Sequence, residues 1–100
     1  VCKIDVNTGK KVWCNYSMGG HSHSTAGVDF DNKLVVSGSN DNHLHVFRES
    51  DGVTLAKYDC KGEIKGPILL HKGVVIFGSW SNHIYAIDLN DIYDDSDDAD

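Results

Sequence analysis

The sequence predicts an all-β fold in which four-stranded antiparallel sheets repeat along the chain as blades of a partial β-propeller. Three observations carry this. The stretches "LVVSGSNDNHLHVF" (34–47) and "VVIFGSWSNHIYAI" (74–87) echo each other at an offset of 40 residues. Short runs of β-branched, Leu and aromatic residues are punctuated by Gly, Asn, Asp and Ser, the pattern of strands joined by turns. The stretch "KIDVNTGKKVW" (3–13) returns in weaker form as "VFRESDGVTLA" (46–56) and starts once more at "AIDLND" (86–91).

The echo is residue by residue. Gly38 and Gly78, Ser39 and Ser79, Asn42 and Asn82, and His43 and His83 are identical pairs. Apolar positions correspond too: Leu34/Val74, Val35/Val75, Val36/Ile76, Leu44/Ile84, Val46/Ala86 and Phe47/Ile87. A period of about 40 to 50 residues built from strands is a propeller period.

With strands lettered A to D from the propeller axis outwards, the chain opens on strand C at 1–6 and strand D at 10–16. Asp5 and Thr8 flank a tight connection between them, and Gly9 supplies a backbone angle that a Cβ would hinder. Trp13 lies on the outer strand, where its large ring can wedge against the neighbouring blade. The next blade reads A at 24–29, B at 33–38, C at 43–48 and D at 53–59. "KLVVSGS" is a near-continuous apolar run, as in a strand covered on both faces. The last blade reads A at 64–70, B at 73–79 and C at 83–89, with the single proline, Pro67, on its inner strand. These nine strands amount to two and a quarter blades.

The first motif resembles the tryptophan-docking repeat of the PQQ-like (quinoprotein-type) β-propellers, Ala-x-Asp-x-x-Thr-Gly-x-x-x-Trp. Asp5, Thr8, Gly9 and Trp13 match, while Lys3 replaces the Ala. In the second copy only Gly52 matches; the third keeps Ala86 and Asp88. The resemblance covers about residues 1–90 and implies blade packing, not a particular chemistry. Similar propellers occur as C-terminal modules of adenylating enzymes, as assembly lipoproteins and as sensor domains. The leading expectation is therefore a non-catalytic binding or scaffolding segment of a larger protein, the first of those hosts fitting best. One alternative is a fragment of a quinoprotein dehydrogenase, with PQQ and calcium in the full-length protein. Another is a lectin-like ring of short chains.

Two and a quarter blades cannot close a ring that takes about four to eight. The expected partners are the remaining blades of the same polypeptide. The opening "VCKIDVNTGK" reads as a strand entered midway, with neither an initiator Met nor a signal pattern. After "AIDL" the chain turns to "NDIYDDSDDAD", and residues 91–100 read as a disordered acidic tail. The last blade is thus expected to lack a local strand D and to receive one from the start of the full-length protein, which places residue 100 near the C-terminus.

Net charge is −6, and six of the fifteen acidic residues lie in 91–100, so the body balances nine against nine. Without a basic stripe, nucleic acid is not an expected partner. No apolar run reaches the roughly 20 residues of a membrane span. Cys2, Cys14 and Cys60 form no CxxC and read as reduced, half-buried thiols. "NYS" (15–17) fits a glycosylation sequon, a pattern short enough to arise often by chance. The compartment stays open, with the cytoplasm slightly favoured.

A binding face, if the segment has one, is expected where the D-to-A connections (15–24, 59–63) meet the B–C loops (39–42, 79–82). Trp80 is the leading candidate, because its counterpart Asn40 shows that the repeat needs no aromatic there. An exposed Trp can stack on a sugar, a quinone or a partner's side chain. Asn40 and Asn82 flank it in the two B–C loops. His21 and His23 lie in the longest loop; an H-x-H pair binds metal only if a third ligand converges, and none stands at a familiar spacing, so no metal is expected. His43 and His45 share one face of strand C and read as blade architecture. No nucleophile elbow, phosphate loop or carboxylate pair outside the tail is present, so no residue is assigned a catalytic role. Asp41 and Asp59 are scattered candidates for calcium at most.

Overall fold

The computed structural model describes residues 1–18, 23–24 and 26–90. The segment expected to be a disordered tail, 91–100, lies outside them, as does His21. Among the described residues the chain is all strand and turn. A hairpin of β1 (Cys2–Ile4) and β2 (Lys11–Cys14) comes first. A four-stranded antiparallel sheet follows, made in order of β4 (Gly27–Asp29), β5 (Leu34–Gly38), β6 (His43–Arg48) and β7 (Thr54–Asp59). The third sheet is β9 (Leu69–His71), β10 (Val74–Ser79) and β11 (His83–Asp88). This is the partial propeller that the repeat predicts.

A strand lies in each of the nine stretches read as strands, but both A stretches are divided. Two short segments, β3 (His23–Ser24) and β8 (Lys65–Gly66), leave their own sheets and pair with each other in parallel. The break in the last blade has a local cause. Gly66 adopts φ +94°, and Pro67 after it has no N–H to donate to a ladder.

The repeat has a conformational reason at its B–C and C–D turns. Asn42 and Asn82, identical in the echo, hold φ 73° and 66° in the two B–C turns. Asn visits this left-handed region more readily than most residues. In the C–D turns Gly9 and Gly52 hold φ 71° and 77°. Both hairpins carry a register irregularity at equivalent positions, Lys3/Ile4 and Val46/Phe47. Asp5 Oδ1 accepts from the amides of Asn7 and Thr8, at 2.8 and 3.3 Å. In the second copy Arg48 replaces that Asp, and the acid moves to the Thr8 position. There Asp51 accepts from the Val53 amide and holds the Arg48 guanidinium at 2.9 and 2.6 Å. Asp88 accepts from the Asn90 amide as Asp5 does from Asn7. Different residues thus build the same turn.

The core lies between the second and third sheets. Leu34, Val36, Leu44 and Val46 pack with Cys60, Ile64, Val75, Phe77 and Leu89, all essentially buried. Each such Leu, Val, Ile or Phe contributes roughly 1.5–3 kcal/mol on burial. The opposite face of the second sheet meets the first hairpin through Trp13. Its Nε1 donates to Glu49 O at 2.8 Å, its ring tilts against Phe47, and it lies so close over Gly52 that a Cβ there would collide with it. Asn15 Nδ2 adds hydrogen bonds to Gly52 O and Thr54 Oγ1, at 2.7 and 2.9 Å. That amide is the group a sequon would glycosylate, and it is committed to the dock.

The cysteine reading needs correction. Cys2 and Cys14 are not reduced thiols but a disulfide, and only Cys60 is free. The cause is register. The two residues are cross-strand partners in the hairpin, with Cα atoms 4.1 Å apart, the close spacing of a non-hydrogen-bonded antiparallel pair. Cys60 is buried, and burial pushes its thiol pKa up.

Candidate functional site at the loop face

Trp80 sits in the B–C turn of the third sheet with 66% of its surface exposed. The backbone beneath it is clamped. Trp80 N donates to Glu63 O at 3.0 Å. The hydroxyls of Ser79, Ser81 and Tyr85 all donate to the Cys60 carbonyl, at 2.9, 3.0 and 3.0 Å. Gly62 is so tightly placed that a Cβ would lie 2.5 Å from Ser81 N. The D-to-A connection and the B–C turn are therefore one rigid unit.

Lys65 lies over the indole with Nζ 3.9 Å from the ring centroid, and Glu63 holds the same ammonium at 3.1 Å. A cation on the ring face is worth about 0.5–1 kcal/mol at an exposed site and orients the ring. Two further candidates come near through the backbone. The β3–β8 pairing sets His23 beside Lys65, and Ile64 N donates to Ser39 O at 3.2 Å, next to Asn40. Asn40 is half-buried, and its Oδ1 has no hydrogen-bond partner. Asn82 forms the turn after Trp80, its amide donating to Ser79 O at 3.2 Å. The stretch 59–63 that carries Glu63 was expected on this face, but neither Glu63 nor Lys65 was singled out, because the Trp80 N–Glu63 O bond that seats them joins two segments no local pattern connects.

Asp41 is occupied locally. It accepts from the His43 amide at 3.0 Å and from His45 Nε2 at 2.9 Å. The His43 ring meets the Asp41 carbonyl at 2.8 Å, and His83 meets the Ser81 carbonyl at the same distance. Asp59 accepts from Lys61 through both its backbone amide and its ammonium, which hold its carboxyl below the usual range. Among the described residues no group of three or more His, Cys, Asp or Glu is placed to hold a metal ion. No helix among them is long and apolar enough to cross a membrane.

Comparison with known proteins agrees with this architecture. The chain matches the PQQ_2 family model, described as outer membrane protein assembly factor BamB, over residues 1–92. No curated protein matches. Among solved structures, the computationally designed Ika4 protein aligns with a TM-score of 0.69 at 19% identity, over 87% of this chain and 52% of that one. The computationally designed Ika8 protein aligns with a TM-score of 0.68 at 19% identity, over 86% and 26%. BamB from Moraxella catarrhalis aligns with a TM-score of 0.69 at 21% identity, over 82% and 25%. The chain thus spans between a quarter and about half of the length of these structures. Repeat, sheet order and family match converge: the chain belongs to the PQQ-like β-propeller family.

Proposed function

We propose that the chain is a non-catalytic part of a PQQ-like propeller that serves a longer polypeptide as a protein-binding scaffold, without a quinone or metal of its own. The observation that supports it most is the outer flank of the third sheet, which no sheet covers among the described residues. Ile84 is 81% exposed, whereas its repeat partner Leu44 is fully buried by the neighbouring sheet. Further blades of the same polypeptide are the natural cover. By analogy with propellers at the C-termini of adenylating enzymes, that host class is the one proposed.

The loop face around Trp80 is the proposed docking surface. An exposed aromatic on a rigid support has the character of a binding hot spot. The test uses the full polypeptide with a photo-crosslinking amino acid at position 80 or at position 30. Phe30 is equally solvent-facing, at 85% exposure, but lies in the A–B turn at the opposite end of its sheet. Crosslinking to one defined protein from position 80 only, lost when Lys65 is replaced by Glu, is the expected result. Equal crosslinking from both positions, or from neither, overturns the proposal.

A further inference from the structure

The outer face of the first hairpin carries chemistry that blade packing does not require. Trp13 and Lys3 point to the second sheet, where Lys3 Nζ meets Glu49 Oε1 at 2.9 Å. Strand alternation turns Cys2 and Cys14 to the other face. The bridge stands at the level of the dock. It joins the strands next to Trp13 on one side and next to the Val1–Asn15 pair, hydrogen-bonded at 3.0 and 2.8 Å, on the other. Trp13 and Asn15, with Lys3 and Ser17 beside them, hold the hairpin to the next blade. A two-stranded hairpin is marginal by itself, so what constrains its strands governs how well it presents them.

We propose that Cys2 and Cys14 are a reversible thiol–disulfide pair whose oxidation state sets how tightly the Trp13 hairpin docks on the following blade. The repeat shows that the pair stays reachable when another blade covers this face. Laid on the second sheet, Cys2 takes the place of His45 and Cys14 that of Lys57. The second sheet is covered on this side by the hairpin; His45 there is fully buried, while Lys57 remains exposed. With such a cover Cys2, exposed here, is buried, and Cys14, half-buried here, holds the place of exposed Lys57 and is the outer, attacking sulfur. Its thiolate attacks glutathione disulfide and releases one glutathione. The Cys2 thiolate then attacks the mixed disulfide at Cys14 and releases the second. Two thiols are oxidised, one glutathione disulfide is reduced to two glutathiones, and the two thiol protons pass to them.

The test equilibrates the full polypeptide with glutathione mixtures of varied ratio. Alkylation and mass spectrometry count free Cys2 and Cys14, and hydrogen exchange is followed on the peptide containing Trp13. The pair is expected to convert together, while buried Cys60 stays unmodified. Exchange at residues 11–15 should rise at least tenfold in the reduced form. Cys14→Ser should show the fast exchange in every mixture, with the core strands β5 and β6 unchanged. Two results overturn the proposal: thiols that remain alkylatable in excess glutathione disulfide, or exchange that does not differ between the oxidised and reduced forms.

Discussion

His45 shows how a residue read as blade architecture acquires a chemical state. Its ring is fully buried, stacks on Phe47 with centroids 6.1 Å apart, and meets Asp41 Oδ2 through Nε2. A carboxylate only accepts, so Nε2 carries the hydrogen. Nδ1 is buried without a partner, which suits a bare lone pair and the neutral ring. Burial lowers the pKa most, Asp41 opposes it, and Lys57 and His43 add to the lowering. Because the folded pKa lies below the unfolded one, the unfolded chain takes up the proton first on acidification. The contribution is present above about pH 6.5 and is lost as pH falls below it. The urea midpoint should therefore drop between about pH 7 and 5, and His45→Phe should flatten that slope. An unchanged slope in the variant would refute this account. Alternation in the sequence placed His43 and His45 on one face, but only three-dimensional packing distinguished the half-exposed ring from the buried one.

At the scale of elements, the hairpin and the turn that receives it behave as one unit. Gly52 is the sole survivor of the motif's second copy because two constraints meet there: φ +77° and the Trp13 ring above it. Trp13→Ala is expected to cost about 2–4 kcal/mol. Gly52→Ala should cost about 2–3 kcal/mol, combining left-handed strain with a clash against the ring. In the double variant the clash is gone, so a double-mutant cycle by urea unfolding should show coupling of about 1 kcal/mol. Strict additivity would mean that the ring and the turn do not share the contact. The disulfide illustrates the limit of reading elements from sequence. The hairpin's strands were legible, yet Cys2 and Cys14 were read as reduced thiols because counting and CxxC spacing ignore cross-strand register. Folding residues 1–6 onto 10–16 about the Thr8-Gly9 turn brings Cys2 opposite Cys14.

For the whole molecule, one sequence pattern yields two burial patterns. Every residue of β5 is buried, whereas β10, its echo, alternates between buried and less buried positions. The difference is the neighbour. β5 has a sheet on one side and the Trp13 hairpin on the other, while the outer face of β10 and β11 has none among the described residues. Ile84→Lys should therefore reduce self-association of the isolated chain, read by light scattering. In a longer polypeptide with a further blade it should destabilise by about 2–3 kcal/mol. Opposite signs in the two contexts are the expected outcome. Equal, negligible effects in both would mean that no blade covers this flank.

The sequence by itself determined the strand order, the turns and the period. Those follow from local conformational preference: Asn and Gly at the positive-φ positions of the B–C and C–D turns, Asp where turn amides need an acceptor, and apolar runs where a ladder is buried. Tertiary structure alone decided that Lys65 lies on Trp80, that the inner strands divide and pair in parallel, and that one of two equivalent sheet faces is covered. These depend on contacts between distant segments, and a short-range pattern carries no information about which distant segment arrives.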